Sequence, residues 1–171
     1  MIKLCNLVLI ISSIMLINVQ IYAQNVGIGA NTFTPNNNNV DKFDFDFVDQ
    51  PDLAQTFAVT CCLKNVQFHF KGVQSLKIKE TDRVAALIQE LAKAGYILHE
   101  PAEGELAWKG QRCDITAPIS IATYEDHRMA MAFAPIALLQ PINIENPQVV
   151  SKSYPGFWND IDSISKKTGS L

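Results

Sequence analysis

Leu76-Lys-Ile-Lys-Glu-Thr-Asp-Arg83, running on into Val84-Ala-Ala-Leu-Ile-Gln-Glu-Leu-Ala-Lys-Ala-Gly95, is the stretch whose reading decides the fold class. Val84, Leu87, Ile88, Leu91 and Ala94 recur at helical spacing, which predicts a helix with one buried face. Thr81 is the expected N-cap, Asp82 suits the first turn, and Gly95 suits a left-handed stop. Upstream, Leu76 and Ile78 alternate with Lys77 and Lys79, the pattern of a half-buried strand. A strand leading into a helix begins an α/β unit. The electrostatics are unusual. Lys79 and Arg83 crowd the positive end of the helix dipole, where a cation typically loses roughly 0.3–1 kcal/mol. Cations beside free helix N–H groups can build an anion site. The plainer alternative is a solvated first turn with a basic excess.

The rest of the chain sets bounds on that site. At 171 residues, with 48% hydrophobic and 18% charged content, the chain suits one globular domain with or without an appendage. A net charge of −3 gives no reason to expect nucleic acid or an acidic membrane as partner, so any basic site is local. Cys5, Cys61, Cys62 and Cys113 form no Cys-x-x-Cys, and His69, His99 and His127 show no metal-ligand spacing to them, so no metal is expected. Cys61 and Cys62 are expected to pack as small hydrophobes on a helix.

Residues 1–23 read as a secretory signal, with Lys3 ahead of an apolar run and Ala23 at a possible cleavage point. Interruptions at Asn6, Ser12, Ser13 and Asn18 argue against a stable membrane span. Residues 24–42, with Pro35-Asn-Asn-Asn-Asn39, read as a polar Asn-rich linker. From Phe43 the pattern is α/β. Phe43, Phe45 and Phe47 alternate with aspartates as a strand, and Pro51 opens a helix reaching Leu63. Val66, Phe68 and Phe70 mark a second strand that leaves His69 on the polar face, exposed and without a role. Tyr96–Leu98 and Glu105–Trp108 are further strand candidates, and Lys109-Gly110 is expected to turn a hairpin into Gln111–Ile115. Ile119–Thr123 reads as a strand running into a helix over Tyr124–Phe133, which Pro135 kinks or ends. Ile142 and Ile144 mark a late strand, and Pro155 suggests a last short helix. Units of strand, helix and strand thus recur.

Helix starts repeatedly carry charge. The first offers Asp52, the second Lys79, Glu80 and Arg83, the third Asp126, His127 and Arg128, and Lys152 precedes the fourth. Arginine forks and a lysine point charge suit phosphate and carboxylate oxygens, and carboxylates among them suit acid and base work. Repetition favours an anionic small-molecule site over accidental surface charge. Met129, Met131 and Phe133 read as core.

Pro51-Asp52, Lys79-Glu-Thr-Asp-Arg83, Tyr124-Glu-Asp-His-Arg-Met-Ala-Met131 and Lys152 before Ser153-Tyr154-Pro155 resemble the C-terminal part of the 5-enolpyruvylshikimate-3-phosphate synthase family. The likeness runs over roughly residues 43–165, in the family's order and spacing. It implies a partial inside-out α/β domain of βαβαββ-type units, here residues 43–171. It also implies transfer of an enolpyruvyl group from phosphoenolpyruvate to shikimate 3-phosphate, in the cytoplasm, without metal or organic cofactor. By that resemblance Asp52 is the proton acceptor, Lys79 touches both substrates and Glu80 donates the proton to the methylene carbon. Ser75 would touch shikimate phosphate, while Arg83, Arg128 and Lys152 hold phosphoenolpyruvate with His127 beside them.

The family's proteins are longer, two-domain chains with the active site in the cleft between domains. The resemblance therefore implies that these residues alone are inactive, with a separate N-terminal half as a possible partner. Two alternatives stand beside it: an exported non-catalytic binding or surface protein reusing the fold, and a fragment of a UDP-N-acetylglucosamine enolpyruvyl transferase.

Overall fold

The computed structural model describes residues 42–79, 81–115 and 117–169. The expected leader and nearly all of the linker lie outside these residues, as do Cys5 and Glu80. The chain divides into a unit spanning Phe33–Pro155 and a second unit that includes the helix Phe157–Gly169.

In the larger unit, alternation dictates the first strand. β1 (Lys42–Asp46) half-buries Phe43 and Phe45 and exposes Lys42, Asp44 and Asp46. A 3-10 turn over Pro51–Leu53, with proline fixing its start, leads directly into α1 (Ala54–Lys64). Asn65, at φ 57°, then ends α1 as a left-handed cap. β2 (Gln67–Lys71) returns parallel to β1, pairing Phe43 with Phe68 and Phe45 with Phe70. α2 (Arg83–Lys93) follows, and β3 (Leu106–Trp108) closes the sheet antiparallel to β2, in the order β1-β2-β3. A second parallel pair forms from β4 (Ile119–Ile121) and β5 (Ile142–Ile144), with α3 (His127–Phe133) between them in the chain. The helix Phe157–Gly169, here α4, is longer than the short helix expected after Pro155.

The core joins both sheets and α1–α3. It includes Phe47, Phe68, Phe70, Leu76, Leu87, Leu91, Trp108, Ile121, Met129 and Phe133. Burying a Phe or Leu side chain of this kind contributes about 1.5–3 kcal/mol. Cys61 and Cys62 are buried there as expected, and burial pushes the Cys61 thiol up to about 12. Met129 and Phe133 are core as expected, with Met131 half-buried.

Several local expectations need correction. Leu76 and Ile78 lie in a 3-10 helix over Gln74–Ile78, not a strand; Leu76 is buried while Ile78 is 84% exposed. A few alternating residues satisfy a strand and a tight turn equally well. The N-cap of α2 is Asp82, whose carboxylate accepts from Ala85 N at 3.0 Å, not Thr81. Tyr96–Leu98 and Gln111–Ile115 form no strands; they meet at the antiparallel bridge Tyr96–Arg112, with Ile97 N donating to Gln111 O at 3.1 Å and the Arg112 guanidinium 4.0 Å over the Tyr96 ring. His69 is half-buried and paired with Glu105 at 2.8 Å. α3 begins at His127, three residues after Tyr124, because Tyr124 and Glu125 take left-handed backbone at φ 53° and 58°.

Candidate active site

The ionisable residues marked in the sequence follow the C-terminal ends of strands. Asp52 follows β1 and sits in the turn opening α1, Arg83 is the first residue of α2 after β2, and Asp126 caps α3 after β4. Packing of α1 against both α2 and α3 draws these helix starts together. Ligands in α/β proteins gather at this end of the strands.

Arg83 is the centre of the cluster and is wholly buried. Its Nε donates to Asp126 Oδ2 at 2.5 Å and its Nη1 to Asp52 Oδ1 at 2.8 Å. The other oxygen of Asp52 lies 3.0 Å from Arg128 Nη2. The other oxygen of Asp126 accepts from the backbone N of Arg128 at 2.9 Å and so caps α3. Two carboxylates and two guanidiniums form one connected chain. The dipole penalty expected for a cation at the start of α2 is small beside two charge-assisted hydrogen bonds, each worth about 1.5–3 kcal/mol.

The cluster grades from closed to open. Asp126 and Arg83 are buried, Asp52 is 37% exposed and Arg128 is 36% exposed. Arg128 therefore lies part-exposed next to a buried framework. His127 Nδ1 stands 3.9 Å from Asp126 Oδ1, too far for a hydrogen bond but within reach of a charge interaction when protonated. Lys152 is exposed and lines an open depression with Glu125, Asn146, Gln148 and Val149.

The structure thus brings Asp52, Arg83, Asp126 and Arg128 into direct contact and puts His127 at their edge. Lys79 is exposed in extended backbone just ahead of α2, and Ser75 is half-buried in the 3-10 helix before it. Neither makes a hydrogen bond or ion pair with the four central groups. Among the described residues, no group of three or more His, Cys, Asp or Glu side chains could hold a metal ion. Nor is any described helix long and apolar enough to cross a membrane.

Sequence reading missed Glu90. It is wholly buried on α2, seven residues after Arg83 and so on the same face, between Leu87 and Leu91. Its Oε2 accepts from Lys93 Nζ at 2.6 Å and Ala122 N at 2.9 Å, and its Oε1 accepts from the Tyr124 hydroxyl at 2.7 Å. Burial, helped by this carboxylate, pushes the Tyr124 phenol up to about 12. The available signal was a glutamate on an otherwise apolar helical stripe, which needs partners wherever it is buried.

A family model described as EPSP synthase (3-phosphoshikimate 1-carboxyvinyltransferase) matches residues 10–161. The match starts inside the stretch expected as a leader. Among curated relatives, the 3-phosphoshikimate 1-carboxyvinyltransferases of two Bacteroides fragilis strains are 63% and 62% identical, over 71% of this chain and 30% of their own length. The Burkholderia ambifaria protein of the same name is 37% identical over 74% of this chain and 29% of its own length. The chain spans under a third of the length of these relatives.

Proposed function

Because the chain belongs to the EPSP synthase family, we propose that its Asp52–Arg83–Asp126–Arg128 cluster is one wall of a site for enolpyruvyl transfer. The reaction is attack of the 5-hydroxyl of shikimate 3-phosphate on C2 of phosphoenolpyruvate. The methylene carbon gains a proton, and loss of a proton from the resulting methyl with departure of phosphate then restores the double bond. This chemistry needs a base for the hydroxyl, an acid for the methylene, and cations for two phosphates and a carboxylate.

Arg128 is the cation best placed to meet phosphoenolpyruvate, since it is partly exposed and already paired with an anion. Arg83 is the fixed charge behind it, and in this reading Lys152 also holds phosphoenolpyruvate, with His127 beside it. Asp52 is the base in this reading, and its double pairing explains how it would be switched on. Arg83 holds one Asp52 oxygen and Arg128 the other, so neither oxygen is free to meet a substrate hydroxyl. An incoming anion that takes over Arg128 releases the Asp52 oxygen bonded to it. Glu80, outside the described residues, is the proposed acid, Lys79 touches both substrates, and Ser75 meets shikimate phosphate. No cofactor is required.

We read residues 43–171 as part of a domain of βαβαββ units working in the cytoplasm. The remaining ligands come from sequence that the relatives contain and these residues do not match, so the chain alone binds anions without turnover. The observation carrying this reading is the single ion network built from three helix starts. Calorimetric titration of phosphoenolpyruvate into the chain, with and without shikimate 3-phosphate, tests it. Binding is expected, with affinity about tenfold lower in Arg128→Ala, the loss of about one charge-assisted contact. Absence of heat with either compound and with both together would overturn it.

A further inference from the structure

Arg128 is useful only if the loop before it holds a costly shape. Tyr124 and Glu125 are consecutive non-glycine residues in left-handed backbone, at φ 53° and 58°. Each costs on the order of 1–3 kcal/mol and persists only where surroundings over-determine it. The surroundings here come from one face of α2. At one end of the loop, Glu90 takes the Ala122 amide and the Tyr124 hydroxyl. At the other end, Arg83 takes Asp126. Lys93 completes the hold, donating to Glu90 at 2.6 Å and to the Ser120 carbonyl at 3.0 Å. Between the two grips, Asp126 N closes back on Thr123 O at 2.9 Å.

We propose that Glu90 is a positioning residue: by tying the Ala122 amide and the Tyr124 hydroxyl to α2, it holds the Asp126 cap and the Arg128 guanidinium in the orientation that meets the substrate anion. It touches no substrate and acts through Arg128. The anion-binding part of this inference rests on the function proposed above; the anchoring part does not.

Hydrogen exchange separates the two. In Glu90→Gln, exchange of the Ala122 and Arg128 amides is expected to quicken at least tenfold, with the Leu87 and Leu91 amides inside α2 unchanged. Arg128 is the decisive position, because its amide is bonded to Asp126 and not to Glu90. Tyr124→Phe removes a single hydroxyl and keeps the ring, so it tests the same link in a chain that retains its packing; a smaller quickening at Arg128 is expected. Unchanged Arg128 exchange in Tyr124→Phe and in a folded Glu90→Gln overturns the anchor. For binding, Tyr124→Phe is expected to weaken phosphoenolpyruvate about fivefold in the wild-type background and not at all on top of Arg128→Ala, as coupled residues do. Equal loss in both backgrounds would mean general destabilisation and would overturn the positioning role. If the wild-type chain binds no phosphoenolpyruvate, the proposed function fails while exchange still decides the anchor.

Discussion

Arg83 shows how a residue that looks misplaced becomes the centre of a fold. Its guanidinium, at the start of α2, lies between a buried carboxylate and a half-exposed one, donating through different nitrogens. Removing it strands Asp126, which is wholly buried, as an uncompensated charge. Arg83→Met, close in length but neutral, is therefore expected to cost about 3–5 kcal/mol in urea unfolding. Arg83→Lys should recover only part, because one ammonium cannot reproduce the side-on fork between two carboxylates. A loss under about 1 kcal/mol for the methionine variant would show that the network is peripheral. At this scale the motif Lys79–Arg83 and the run Tyr124–Met131 made Arg83 and Arg128 legible in the sequence. The pairing of Arg83 with Asp126, 43 positions along, was not. It depends on α1 packing against both α2 and α3, and no local pattern encodes that.

Among the elements, the strands and helices set by clear periods were legible: β1 and β2 from alternating phenylalanines, α2 from its apolar stripe. What failed was short or irregular. Four alternating residues at Leu76–Lys79 fit a 3-10 helix as well as a strand, and the apolar run into α3 hid a left-handed loop. His69 was misjudged because its partner, Glu105, comes from a neighbouring part of the fold. Joints between elements carry their own requirements. Gly72, at φ +70°, ends β2, and a side chain there would run into Asp46 Oδ1 and the backbone of Val48. Gly72 thus passes close to the segment that leads from β1 toward Pro51 and Asp52. Gly72→Ala is expected to destabilise the chain by about 2 kcal/mol or more, from left-handed strain plus overlap. Unchanged thermal unfolding would show that the joint yields freely.

For the molecule as a whole, the described residues carry a coherent ion network, and the chain aligns with 30% of the length of its Bacteroides fragilis relatives. The transfer proposed above, with two phosphates and a carboxylate, needs charge on more than one side, and positioning errors of an ångström cost orders of magnitude in rate. The measurement that tests this most directly is phosphate release from phosphoenolpyruvate in the presence of shikimate 3-phosphate. It should be made with the 171-residue chain alone, and then with the chain mixed with the N-terminal part of a Bacteroides fragilis relative. The expected result is no release by the chain alone, release on mixing, and loss of that release when the chain carries Arg128→Ala. Release by the chain alone, or undiminished release with the Arg128→Ala chain, would contradict the assignment of this cluster as one wall of a shared site.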